Sequence, residues 1–137
     1  MKRAETGSKT VGETLDDVSK SLPSLKYAIK LYKKLAQIPA LRRNPEDIAA
    51  EIREVSGSLL KNGKLSEKAM SQLLLKCTEL CYREDCDAEI LLHRGADSLK
   101  NRFQEAEKKL EQKKCPSEGL TNHQQSVYLH LVKGEIE

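Results

Sequence analysis

Aromatic residues are scarce in this chain. Among its 137 residues there is no tryptophan, one phenylalanine and four tyrosines. A core built mainly on aromatic side chains is therefore excluded, and most apolar contacts must come from leucine, isoleucine, valine and alanine. Such side chains suit helix-on-helix packing, in which positions i, i+3 and i+4 form one apolar face.

Long hydrophobic runs and a secretory leader are also missing. No stretch approaches the roughly 20 apolar residues that span a bilayer. The basic N-terminus, residues 1–7, lacks the apolar segment that a signal peptide carries. We therefore expect a cytoplasmic or nuclear protein, in which the four cysteines stay reduced.

Sequence signatures of enzymes are absent as well. The seven glycines are scattered, so the chain has neither a P-loop nor a dinucleotide-binding glycine pattern, and no His-Glu metalloprotease pair is present. Nucleophilic catalysis needs a Cys or Ser with a positioned base. The three histidines are His93, in a predicted helix, and His123 and His130, in a weakly structured segment. These absences predict a protein that is not an enzyme and that uses no cofactor or metal.

The sequence does contain a series of amphipathic segments in a chain of single-domain length. Apolar residues make up 38% and charged residues 33%, and the net charge is +3. This balance is typical of a folded, surface-rich domain. We predict an all-α fold, a single bundle of four to five amphipathic helices over residues 13–115 with a long C-terminal helix. Residues 1–12 are predicted as a flexible tail and residues 116–137 as a weakly structured tail.

Capping residues indicate where several helices begin and end. Asn44 is a favoured N-cap, and Asn62-Gly63 is expected to stop the helix that Asn44 begins. The last long helix is predicted over about residues 88–114. Thr121 with Gln124 resembles a capping box, whereas the apolar residues that follow fit an extended segment equally well.

An apolar heptad runs along the predicted C-terminal helix. Its members recur at alternating steps of four and three residues, namely Leu92, Ala96, Leu99, Phe103, Ala106 and Leu110. This spacing forms a narrow seam that must be buried against other helices of this chain or against another chain. Since the second half of the helix is charged outside the seam, we predict a protein-partner surface at Leu99, Phe103 and Leu110.

Positive charge is concentrated between residues 24 and 44, where no acidic residue occurs. The lysines of this segment fall at helical spacing opposite its apolar stripe, which indicates a continuous basic ridge. The ridge is either a solvated helix face or a contact for phosphates, anionic lipid or an acidic protein. Its members are Lys26, Lys30, Lys33, Lys34, Arg42 and Arg43.

The cysteines form the remaining candidate site. Cys77 and Cys81 are four residues apart and share a helix face, with Cys86 and His93 just beyond. These four side chains match the ligand types of a zinc site or of a redox centre. The spacing is not that of the tight turns usual in structural zinc sites, and a free cysteine packs well as a small hydrophobe. We therefore favour core packing, and expect Cys115 to be an ordinary exposed thiol.

Together these patterns favour a non-enzymatic helical protein-interaction module, an adaptor or regulatory subunit of a larger complex. The alternative is a nucleic-acid-binding domain that uses the basic ridge of residues 26–43. The two hypotheses differ in their expected response to salt, because binding to phosphates weakens steeply as salt is raised.

Overall fold

The computed structural model describes residues 9–110 and 119–134, which are mostly helical. The all-α prediction is confirmed, and none of the described helices is long and apolar enough to cross a membrane. The predicted tail of residues 1–12 and the end of the predicted long helix lie largely outside the described residues. The elements are α1 (Val11–Asp16), α2 (Ser24–Ala36), a 3-10 helix (Pro39–Leu41), α3 (Pro45–Ser56), β1 (Leu60–Lys61), β2 (Lys64–Leu65), α4 (Glu67–Arg83), α5 (Ala88–Lys109) and α6 (Asn122–Lys133).

The chain divides into two compact units, Met1–Glu89 and Ile90–Glu137. The first unit contains α1 to α4 and the hairpin, and the second contains most of α5 together with α6. The segment predicted as a C-terminal tail thus includes a regular helix, α6.

In the first unit, α4 packs against both α2 and α3. The buried residues of these three helices are mostly small, namely Ala28 on α2 and Ala69 and Thr78 on α4. Ile48 of α3 is completely inaccessible to solvent. Burying an isoleucine side chain stabilises a fold by about 1.5–3 kcal/mol. The Thr78 hydroxyl donates to the Leu74 carbonyl at 2.9 Å, so its burial leaves no unsatisfied polar group.

Local sequence signals position α3 and the hairpin. Asn44 caps α3 as predicted, because its side chain accepts the Glu46 N–H at 2.8 Å. The helix stops at Ser56, however, and not at Asn62-Gly63. These two residues have φ values of 53° and 77° and form the hairpin turn between β1 and β2. Paired positive φ angles are what a tight type I′ hairpin turn requires, and Asn-Gly is its preferred sequence.

A Schellman motif ends α4. Asp85 adopts a left-handed conformation, with φ of 57°. Its N–H donates to the Tyr82 carbonyl at 3.1 Å, and the Cys86 N–H donates to the Cys81 carbonyl at 2.8 Å. These two hydrogen bonds define the motif. They turn the chain sharply, and α5 begins two residues after Cys86.

In the second unit, α6 begins with the predicted capping box. The Thr121 hydroxyl accepts the Gln124 N–H at 3.1 Å, and the Gln124 side chain accepts the Thr121 N–H at 2.9 Å. The Phe103 ring of α5 stacks on the Tyr128 ring of α6, with centroids 5.3 Å apart and planes inclined by 8°. An aromatic pair of this kind stabilises a contact by about 0.5–1.5 kcal/mol beyond its buried area.

Candidate functional site

A pocket of about 280 Å³ opens in the first unit, where α2, the 3-10 helix and α4 meet. Arg42 and Arg43 reach it from the extended segment between the 3-10 helix and α3. Much of its wall is aliphatic or aromatic, and three arginines and one glutamate supply its charged groups. The lining residues are Tyr32, Leu35, Ala36, Leu41, Arg42, Arg43, Glu79, Tyr82 and Arg83.

Arg43, one of the lining residues, is bonded to two helices. Its guanidinium donates to both oxygens of Glu51 on α3, at 2.7 and 2.8 Å, and to both oxygens of Glu79 on α4, at 3.0 Å each. Lys76 adds a 2.7 Å ion pair with Glu51. Hydrogen bonds from Arg43 first, and then from Lys76, lower the pKa of Glu51 to about 2. This network therefore fixes the segment that carries the arginines against α3 and α4.

Arg42 and Arg83 are held differently, each through its Nε atom. The Nε of Arg42 donates to the Ala36 carbonyl at 2.8 Å, and that of Arg83 to the Arg43 carbonyl at 3.0 Å. Their terminal nitrogens make no hydrogen bond to any other described residue. A guanidinium oriented by a backbone contact and left with free Nη donors is well suited to bind a carboxylate or a phosphate in a fork.

Tyr32 and Tyr82 supply the aromatic part of the wall. The Tyr32 hydroxyl donates to the Leu75 carbonyl at 3.2 Å, which fixes the ring of α2 against α4. Burial first, and then the negative charge of Glu79, raise the pKa of Tyr32, so its hydroxyl stays protonated. Flat aromatic surfaces beside arginine donors are the features with which proteins hold nucleobases and phosphates.

The carboxylates at this site form ion pairs with arginine and lysine side chains. Glu51 contacts Arg43 and Lys76, and both oxygens of Glu79 contact Arg43. Across residues 9–110 and 119–134, no group of three His, Cys, Asp or Glu side chains is placed to hold a metal ion. Among the described residues, Arg42 and Arg83 are the lining charges that no carboxylate neutralises.

The structure divides the predicted basic ridge into two groups. Lys26, Lys30 and Lys33 are exposed along α2, and Lys34 is half-buried beside them. Arg42 and Arg43 belong to the pocket instead, and the charge of Arg43 is balanced by carboxylates of α3 and α4.

The predicted partner surface on α5 is only partly free. Leu99 is 41% exposed, whereas Phe103 and Leu110 are half-buried and Phe103 stacks on Tyr128. Leu92, at the start of the heptad, is 63% exposed. A protein partner at Leu99, Phe103 and Leu110 stays a prediction.

The favoured core role of the cysteines is wrong for Cys77, which is exposed, while Cys81 is half-buried and Cys86 is exposed. The buried positions of α4 are Ala69 and Thr78, and Cys77 is not among them. His93 is an exposed residue that forms a 3.3 Å pair with Asp97 one turn along α5. Cys115 lies outside the described residues.

Comparisons with known proteins identify relatives of one enzyme type. No protein-family model and no solved structure matches the chain. It is 28% identical over 116 residues to a nucleoside triphosphate pyrophosphohydrolase of Escherichia coli K12, and equally to that of Escherichia coli O157:H7. Each alignment covers 79% of this chain and 44% of the relative, so the chain spans less than half the length of the relatives it matches.

This similarity overturns the functional conclusion drawn from the sequence. A non-enzymatic adaptor, with nucleic-acid binding as its alternative, conflicts with relatives that are hydrolases. The prediction that the chain is not an enzyme and the adaptor and regulatory-subunit assignments are wrong for the same reason. The error arose because the absence of glycine-rich and histidine motifs was taken as the absence of catalytic function.

Proposed function

We propose that this chain binds nucleoside triphosphates in the pocket between α2, the 3-10 helix and α4, and hydrolyses them with release of pyrophosphate. The observation that carries the proposal is the combination of Arg42 and Arg83, each with free terminal donors, and the aromatic wall. The similarity to nucleoside triphosphate pyrophosphohydrolases supports the same substrate class.

The pocket complements the two halves of such a substrate. The polyphosphate chain carries several negative charges, which Arg42 and Arg83 can meet with bidentate hydrogen bonds. The base is flat and apolar on its faces, and Tyr32 and Tyr82 offer surfaces for stacking. Arg43 holds this arrangement in place through Glu51 and Glu79.

The chemical step needs a positioned water and a neutralised polyphosphate. Water attacks the α-phosphorus and releases a proton to solvent, and the bond from that phosphorus to the bridging oxygen breaks. The bridging oxygen leaves with pyrophosphate, and the water oxygen stays on the nucleoside monophosphate. Glu79 is the one carboxylate among the lining residues, and its oxygens keep acceptor sites for water beyond their bonds to Arg43. Arg42 and Arg83 supply positive charge that can stabilise the negative charge developing on the polyphosphate.

Binding is tested by calorimetric titration of the full chain with ATP. Loss of a charge-assisted hydrogen bond costs about 1.5–3 kcal/mol, so Arg83→Ala and Arg42→Ala should each weaken binding by about 10-fold or more. The matched controls are Lys30→Ala and Lys33→Ala, which remove exposed charges of α2 outside the pocket. Equal losses in all four variants would indicate general attraction to the basic surface and refute the pocket.

Hydrolysis is tested by measuring pyrophosphate release from ATP, CTP, GTP and UTP. Glu79→Gln should abolish most turnover while leaving ATP affinity within a few-fold of the unmodified chain. A chain that binds ATP at the pocket but releases no pyrophosphate would retain the binding half of the proposal and disprove the hydrolytic half.

A further inference from the structure

We propose that Cys81 and Cys86 form a reversible disulfide across the Schellman motif that ends α4. The two residues occupy the C3 and C″ positions of the motif and are already joined by the 2.8 Å hydrogen bond from the Cys86 N–H to the Cys81 carbonyl. In this motif the C3 and C″ side chains commonly contact each other. The backbone therefore holds the two cysteines close to each other in the reduced chain.

The conformation between the cysteines favours the same pairing. Asp85 reverses the chain with its left-handed backbone, and its N–H bond to the Tyr82 carbonyl closes the inner ring of the turn. A disulfide requires Cα atoms about 4.4–6.8 Å apart, with their Cβ atoms directed towards each other. The hydrogen bond from the Cys86 N–H to the Cys81 carbonyl holds the two ends of this six-residue turn close together, and contact between the C3 and C″ side chains frequently accompanies the motif.

The two thiols differ in accessibility, which sets their roles. Cys86 is exposed and its thiol contacts the Glu84 carbonyl at 3.5 Å. Cys81 is half-buried, and burial first, then the neighbouring Cys86 and Cys77, raise the pKa of its thiol. Because the thiolate is the nucleophile, Cys86 is the residue that reacts first with an oxidant from solution.

The oxidant required is a small-molecule disulfide such as oxidised glutathione. The Cys86 thiolate attacks one sulfur of that disulfide, forms a mixed disulfide and expels one thiol. The Cys81 thiol then loses its proton to water and attacks the Cys86 sulfur, which expels the second thiol. In the balance, two protein thiols are oxidised to one disulfide, and one small disulfide is reduced to two thiols.

Closing this bond affects the proposed nucleotide pocket directly. Tyr82 and Arg83 lie between the bridged residues and also line the pocket. The disulfide holds them in the conformation that forms the wall, so the oxidised chain should bind ATP several-fold more tightly than the reduced chain. This consequence rests on the proposed function, whereas formation of the disulfide does not.

The sequence allows a direct test by proteolysis. Trypsin cuts after Lys76, Arg83 and Arg94, so Cys81 and Cys86 fall in different peptides, residues 77–83 and 84–94. The full chain carrying Cys77→Ser and Cys115→Ser is equilibrated in glutathione buffers of decreasing reducing strength, alkylated and digested. The expected product is one species in which the two peptides are linked, with two thiols lost per chain.

Thermal unfolding and ATP titration of the same samples complete the test. Oxidation should raise the unfolding temperature by about 5 °C, because a short covalent ring restricts the unfolded chain, and Cys86→Ser should abolish both the linked peptide and this rise. The proposal would be overturned if oxidation gave no linked peptide and produced instead a glutathione adduct on Cys86 or a link between two chains. A linked peptide without any change in ATP affinity would support the disulfide and refute its coupling to the pocket.

Discussion

Arg43 is the residue whose replacement tests the architecture of the site most directly. Its guanidinium makes four hydrogen bonds, two to Glu51 and two to Glu79, at 2.7–3.0 Å. Arg43→Ala leaves Glu79, whose side chain is only 13% exposed, without its cation. Hydrogen bonds to charged groups contribute about 1.5–3 kcal/mol each when well buried, and much less in solvent. Because a third of the Arg43 side chain is exposed, we expect Arg43→Ala to lower the free energy of unfolding by about 2–3 kcal/mol at neutral pH.

The pH dependence of this loss has a definite sign. Arg43, and then Lys76, lower the pKa of Glu51 from 4.5 to about 2. A carboxylate with a depressed pKa stabilises the fold above its unfolded pKa and ceases to do so as the pH falls through its folded pKa. Since a third of the Glu51 side chain is exposed, solvent screening reduces its contribution to about 1 kcal/mol. The difference between the unmodified chain and Arg43→Ala should therefore shrink by about that amount between pH 5 and pH 2.

Urea unfolding followed by circular dichroism at 222 nm measures both effects. The matched control is Arg53→Ala, which removes an exposed arginine from the last turn of α3 and should change stability by less than about 0.5 kcal/mol. If Arg43→Ala were no more destabilising than Arg53→Ala, or if its deficit were the same at pH 5 and pH 2, the ion-pair account of the site would be refuted.

Two further substitutions test the rest of the fold. Phe103→Ala removes the ring that stacks on Tyr128 and should speed hydrogen exchange of the α6 amides by about 10-fold or more. The control Val132→Ala, at a 63% exposed position of α6, should leave the exchange rates nearly unchanged. Equal exchange rates in the two variants would contradict the stacking contact. In the first unit, Gly57 has a φ of −73°, so Gly57→Ala should raise the free energy of unfolding by about 0.5 kcal/mol. Gly63 has a φ of 77°, so Gly63→Ala should lower the free energy of unfolding by about 1 kcal/mol. Urea unfolding compares the two glycine variants, and equal effects would contradict the assigned turn.

The fold class and several helix ends could be predicted because they depend on local chemistry. Asn44 and the Thr121–Gln124 pair satisfy free N–H groups at helix starts within a few residues of their own position. The Asn62-Gly63 pair shows the limit of this approach. Glycine with a left-handed backbone suits both a helix stop and a hairpin turn, and only the pairing of Leu60 with Leu65 decides between them.

The pocket could not be predicted because it joins residues that are far apart in the sequence. Tyr32, Arg42 and Arg83 meet only after α2 and α3 have packed on α4. The spacing of Cys77 and Cys81 likewise did not reveal that Cys77 is exposed while the polar Thr78 beside it is buried. Which residues of α4 are buried depends on its contacts with other helices, and α4 packs against both α2 and α3.

The basic ridge shows why charge alone did not identify the candidate pocket. Lys30 remains in solvent, Arg43 is neutralised by two glutamates, and Arg42 keeps free donors in the pocket. Three positive residues of one short segment thus have three physical roles, which are set by carboxylates and carbonyls on other elements. A phosphate site of the proposed kind needs no glycine-rich loop, because its donors are arginine side chains rather than backbone N–H groups. The absence of a glycine-rich motif in the sequence is therefore compatible with the proposed nucleotide site.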